Sequence, residues 1–153
     1  MRALPIVAAV ASFALAAAGC VGSDEDAAFK KDFKPINAQI VALGSEVGQT
    51  LQNASRSNDR EVGRKFLGFV PRLQAIKRRV DALDPPADLK PQVKRLSAAA
   101  SRLIVDLGGI ALAARSHGKR AYQTAVDALF RDSPAIANAR RAIAKATGIP
   151  ANP

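Results

Sequence analysis

The sequence predicts an all-α protein, an antiparallel up-down-up-down four-helix bundle preceded by a signal peptide. Three observations carry this. Apolar residues recur at steps of three and four along four stretches of the chain, the spacing that puts them on one face of an α-helix. Hydrophobic residues make up 48% of the chain but aromatics only 5%, with no Trp. Alanine, the best helix former, supplies much of the difference, whereas a sheet would want more β-branched and aromatic residues. Short segments rich in Pro, Gly or Asp separate the stretches, and short connections favour antiparallel neighbours.

The leader comes first. Met1-Arg2 gives a short positive start, and residues 3–18 carry no charge. Small residues follow, which completes the layout of a secretory signal. The apolar run is too short and too rich in alanine for a membrane span, which needs about 20 strongly apolar residues. The leader ends in Ala17-Ala18-Gly19-Cys20, which resembles the lipobox of bacterial lipoprotein precursors. Ala17 stands where that family most often has leucine. The resemblance implies a diacylglycerol on the Cys20 thiol and cleavage just before it. It further implies export and anchorage at the outer face of the cell membrane, or in the outer membrane of a cell with two. The competing reading is an ordinary secretory signal with an incidental cysteine. Residues 1–19 are then the signal peptide, 20–27 a short tether, 28–147 the bundle and 148–153 a frayed tail.

Helix one has its stripe at Phe29, Phe33, Ile36, Ile40, Leu43, Val47, Leu51 and Ala54. Ser23 or Asp24 can cap it, and Asp24, Glu25 and Asp26 suit its positive end. Pro35 falls inside the pattern, so either the regular helix starts at Asp32 or a longer one bends there. Helix two carries Val62, Phe66, Phe69, Leu73, Ile76, Val80 and Leu83, a heptad seam. Asn58-Asp59-Arg60-Glu61 fits a capping box, Pro71 lies off the stripe, and Asp84-Pro85-Pro86 ends the helix. Helix three carries Leu89, Val93, Leu96, Ala100, Leu103, Leu107, Ile110 and Ala114, with prolines near its first turn. His117-Gly118 reads as its stop, with the glycine in the left-handed position. Helix four has Tyr122, Ala125, Leu129, Ile136, Ala139, Ile143 and Ala146, but Asp132 falls on the stripe and Ser133-Pro134 follows. Asp132 or Ser133 there suggests the cap of a restarted helix. The mature part resembles small alanine-rich helical lipoproteins of unknown function, through the leader and the pattern around Leu83-Asp84-Pro85-Pro86. That resemblance transfers no activity.

The residues that chemistry would need are scarce. Cys20 is the sole cysteine and His117 the sole histidine, and the only Met is the initiator. Haem ligation requires such side chains. Di-iron bundles require Glu-x-x-His pairs, and none of Glu25, Glu46 and Glu61 has a His three residues on. The expectation is therefore no catalytic residue, no metal and no cofactor. His117 beside Ser116 reads as a solvated turn histidine. Asp106 and Asp132 read as marginal carboxylates paired with Arg102, Arg131 or another base.

Charge is the more suggestive feature. The chain has a net charge of +10, or +9 once Arg2 leaves with the signal. Arg64, Lys65, Arg72, Lys77, Arg78 and Arg79 on helix two, with Lys90, Lys94, Arg95 and Arg102 on helix three, make a candidate anion-binding surface on one hairpin face. The alternative is a solvated surface biased toward cations. Partners outside a membrane would be anionic headgroups, wall polymers or an acidic envelope protein, besides the membrane that holds the lipid. Nucleic acid is disfavoured by the export signal and by the scarcity of aromatics for stacking.

Gly44, Gly48 and the pair Gly108-Gly109 fall inside predicted helices, where each costs up to about 1 kcal/mol relative to Ala. They permit either close helix approach or room for an apolar ligand. A core filled by side chains favours a non-enzymatic interaction or scaffold module with a basic surface. A continuous apolar cavity at these glycines favours a carrier of a small apolar or amphipathic ligand.

Overall fold

The computed structural model describes residues 24–151. The leader, Cys20 and the start of the tether lie outside the described residues. Four helices fill the described chain, α1 (Asp24–Asn53), α2 (Asp59–Asp81), α3 (Lys90–Arg115) and α4 (Lys119–Thr147), with a single 3₁₀ turn at Ala54–Arg56. They form a four-helix bundle without strands among the described residues. The α3 helix packs along both α2 and α4, whereas α1 leans on α2 and meets α4 sparingly.

The predicted stripes make the core. Phe33, Phe66, Ile36, Leu96, Ile110, Ile143 and Val80 are its largest fully buried apolar side chains. Phe29 stacks on Phe33 with ring centroids 5.8 Å apart, and Phe66 meets Phe69 edge-on at 5.7 Å, both within the favourable range for aromatic pairs. Toward its C-terminus the stripe of α1 surfaces, leaving Val47 and Leu51 only half-buried.

Helix boundaries differ from expectation at four points. First, α1 already begins at Asp24, inside the segment read as a tether, with Asp24, Glu25 and Asp26 in its first turn. It runs unbroken through Pro35, whose exposed position turns the lost hydrogen bond toward water. Second, the left-handed residue after α3 is His117 (φ 52°), not Gly118. The Gly118 N–H donates to Ala113 O and the His117 N–H to Ala114 O, a Schellman arrangement one residue earlier than expected. Histidine is among the side chains that tolerate this conformation best.

Third, α4 does not restart at Ser133-Pro134. Pro134 has no N–H for the carbonyl of Phe130, and the Ser133 hydroxyl donates to that carbonyl at 3.3 Å. The serine thus replaces the bond the proline removes. Fourth, the tail is held through Ala151 rather than frayed. Gly148 takes the left-handed position (φ 66°), Ile149 N–H donates to Ala144 O at 2.9 Å, and the Ile149 side chain is buried. At the start of α2 the Asn58 side chain accepts from Glu61 N–H at 2.8 Å, as the capping pattern predicts.

Candidate functional site

Because α1 and α4 stand apart, a groove opens between them. Its volume is about 560 Å³, within the usual range of small-molecule sites. Its α1 wall is Ile40, Gly44, Val47, Gly48 and Leu51; its floor is Leu73, Leu103 and Leu107; its α4 wall runs from Leu129 and Phe130 to Arg140 and Arg141. Phe130, 61% exposed, stands on the rim. From Ile40 to Leu51 the trough follows about 16 Å of helix.

The glycines of α1 contribute by what they omit. A Cβ at Gly44 or Gly48 would meet nothing within 4 Å, so neither serves close helix approach. Gly108 is equally open, and Gly109 meets only Ala125 Cβ at 3.6 Å. Neither of that pair lines the groove. The close approach occurs instead at Gly63, where a Cβ would lie 3.0 Å from Arg115 Cγ and 3.2 Å from Ala111 O.

One end of the groove is polar. Asn37 is fully buried, and its Nδ2 donates to Pro150 O at 3.2 Å. Arg140, only 7% exposed, donates from Nη1 to Asn37 Oδ1 at 2.9 Å and to the carbonyl of Ala151. Burial and the neighbouring Arg141 both press its pKa below the usual arginine range. Sequence reasoning missed this cluster, although Arg140 stands four residues after Ile136 and three before Ile143, squarely on the apolar stripe.

The ten basic residues of the candidate anion-binding surface are divided. Arg72 grips Glu46 of α1 with both terminal nitrogens at 2.6 Å and lies 5.9 Å from the Phe69 ring centre. That pairing raises the Arg72 pKa and lowers that of Glu46. Arg79 donates to Gln39 of α1 at 2.7 Å, Lys65 pairs with Glu61 at 3.0 Å, and Lys77 pairs with Asp81. The Lys77 ammonium and then the Ser97 hydroxyl hold the Asp81 carboxyl below the usual range. Arg64, Arg78, Lys90, Lys94, Arg95 and Arg102 are exposed, with no ion-pair partner among the described residues. Arg95 and Arg102 border Ala135 and Asn138 of α4. Arg72 and Arg79 thus turn toward α1, whereas Arg95 and Arg102 border α4.

Two other predicted positions are brought together in ways the sequence did not suggest. Asp106 lies beside Asp132, which also pairs with Arg131 as expected, Nε to Oδ1 at 3.9 Å. The Asp106 carboxyl is raised above the usual range by burial first and by the Asp132 charge second, with Arg131 opposing. Its Oδ2 is sealed from solvent without a hydrogen-bond partner. His117 Nδ1 lies 2.8 Å from Asp59 Oδ2, so the histidine does have an orienting carboxylate. Both are well exposed, and the adjacent Ser116 hydroxyl donates to Ala113 O at 3.1 Å. Tyr122, nearby, is pushed up by burial and by Asp59. No group of three His, Cys, Asp or Glu suited to a metal occurs among the described residues.

With known families, curated proteins and solved structures compared in turn, none matches this chain.

Proposed function

We propose that the protein is a non-enzymatic carrier of the bacterial cell envelope, anchored by a lipid on Cys20, that holds an apolar or amphipathic ligand between α1 and α4. The observation that carries this is the apolar groove of about 560 Å³ whose α1 wall contains Gly44 and Gly48. Each glycine weakens its helix by up to about 1 kcal/mol relative to alanine. Neither returns that through packing, since a Cβ at either would touch nothing. A wall kept low at a stability cost is what a binding trough needs.

The up-down-up-down order belongs to the same proposal. It is supported by Gln39 bonding Arg79 while Glu46 bonds Arg72, by Ser97 bonding Asp81, and by Gly63 lying against Ala111. The lipobox supports anchorage at the outer face of the cell membrane, or in the outer membrane where there are two. A second function, as a helical interaction module for anionic surfaces, draws on the six exposed cations without partners.

The test is binding of an uncharged, environment-sensitive dye, N-phenylnaphthylamine, to the full chain carrying Cys20→Ser. Saturable binding is expected. The pair Gly44→Leu and Gly48→Leu should fill the trough and abolish it while the circular dichroism stays helical. Dye binding that survives both leucines, or no binding by the parent, rejects the carrier.

A further inference from the structure

The groove has an apolar end and a guanidinium end, and the guanidinium is unusually placed. Arg140 is nine-tenths buried, lines the groove, and has no carboxylate within ion-pair distance among the described residues. A buried cation without a counter-ion is costly. Its structural duties are met by one nitrogen: Nη1 donates to Asn37 Oδ1 and to Ala151 O. The Nε and Nη2 protons bond no described residue. Those two nitrogens form the side edge of the guanidinium, a two-donor fork whose geometry matches the paired oxygens of a carboxylate. Arg141 does not share the task, because its Nε and Nη2 turn back to Ala137 O and Asn138 Oδ1 of its own helix.

Resting on the groove as the binding site, we propose that its occupant is a single-chain amphiphile ending in a carboxylate, a long-chain fatty acid. The chain lies along Ile40, Val47, Leu51, Leu107 and Leu129, and Arg140 receives the headgroup on its Nε–Nη2 edge. The bound carboxylate supplies the counter-ion that Arg140 lacks. The apolar length of the trough, about 16 Å of helix, suits an extended acyl chain, and its one cationic end sets the direction in which the chain lies.

The experiment displaces N-phenylnaphthylamine from the full Cys20→Ser chain with palmitate and with hexadecanol, which share a chain and differ in charge. A hydrogen bond to a charged group contributes enough to make palmitate bind about tenfold or more tighter than the alcohol. Arg140→Gln should bring that ratio toward one, and Arg140→Lys should retain part of it. If Arg140→Gln does not fold, because Nη1 also holds Asn37 and the tail, the parent ratio still decides. Equal displacement by acid and alcohol overturns the carboxylate while the carrier stands. Failure of the dye itself to bind overturns both.

Discussion

Replacing Gly44 and Gly48 by alanine separates the two uses of a helical glycine. Each glycine weakens a helix interior by about 0.5–1 kcal/mol relative to alanine. A Cβ at either position meets no atom within 4 Å, so no clash offsets the gain. The double variant Gly44→Ala/Gly48→Ala should therefore be more stable by about 1–2 kcal/mol. For a domain of this size, that raises the melting temperature by about 3–10 °C. Gly63→Ala is the contrast, because its Cβ would lie 3.0 Å from Arg115 Cγ and 3.2 Å from Ala111 O. The arginine side chain can swing away, but the backbone oxygen cannot. Forcing α2 from α3 costs about 1–3 kcal/mol, against the same propensity gain of about 1 kcal/mol. Gly63→Ala should range from neutral to about 2 kcal/mol destabilising. Urea unfolding followed by far-ultraviolet circular dichroism, with an unchanged m-value, compares all three chains. If the α1 double variant loses as much stability as Gly63→Ala, α1 packs tightly on α4 and the groove is not open at its glycine wall.

Other outcomes follow from the same contacts. Asp106→Asn should stabilise the fold near neutral pH. The folded pKa of Asp106 is raised, so its favourable contribution is present in acid and is lost as pH rises through that value. The gain should vanish well below the ordinary aspartate pKa, and a gain independent of pH would refute the carboxylate pairing. Phe66→Ala removes a fully buried ring that meets Phe69 and should cost about 3–5 kcal/mol in urea unfolding; a loss under about 1 kcal/mol would place Phe66 outside the core. Cys20→Ala should abolish incorporation of labelled lipid and release the protein from membranes or leave it uncleaved, whereas a cleaved, unlabelled variant that stays membrane-bound would end the anchor proposal. Reversing the exposed Arg78, Lys94 and Arg95 to Glu should weaken binding to anionic vesicles at low salt, where the Debye length exceeds about 10 Å. Binding equal to that of the parent would remove these cations from any docking role.

The stripes of α2 and α3 were legible because alternating steps of three and four leave one face no alternative to burial. The α4 helix was harder. Ser133-Pro134 has the look of a stop, and nothing in the residue order shows that the serine hydroxyl will accept the duty of the missing N–H. The glycines had two readings because proximity belongs to the neighbouring helix. Gly44 and Gly48 face a gap, Gly63 faces a backbone, and the chain around each looks alike. Arg140 was legible in position and hidden by its type: a cation on an apolar stripe invites a register error sooner than a buried site. The turn of two basic residues toward α1 was beyond sequence for a simpler reason. Arg72 and Arg79 turn toward α1 because Glu46 and Gln39 happen to stand across from them.

The polar latch at the groove's end also governs how the ring of helices closes. The bond from Asn37 to Pro150 spans 113 residues and that from Arg140 to Asn37 spans 103, while the contacts of α3 with α2 and α4 need only short loops. Loop-closure entropy makes the latch the costlier contact to form, by about 0.6 kcal/mol for each doubling of loop length. With little else joining α1 to α4, the seam between them should be assembled late and opened early. Its amides should then exchange with solvent at a lower opening free energy than those of α3. The latch cannot form before Pro150 and Ala151 are in place, so the polar end of the trough is completed last.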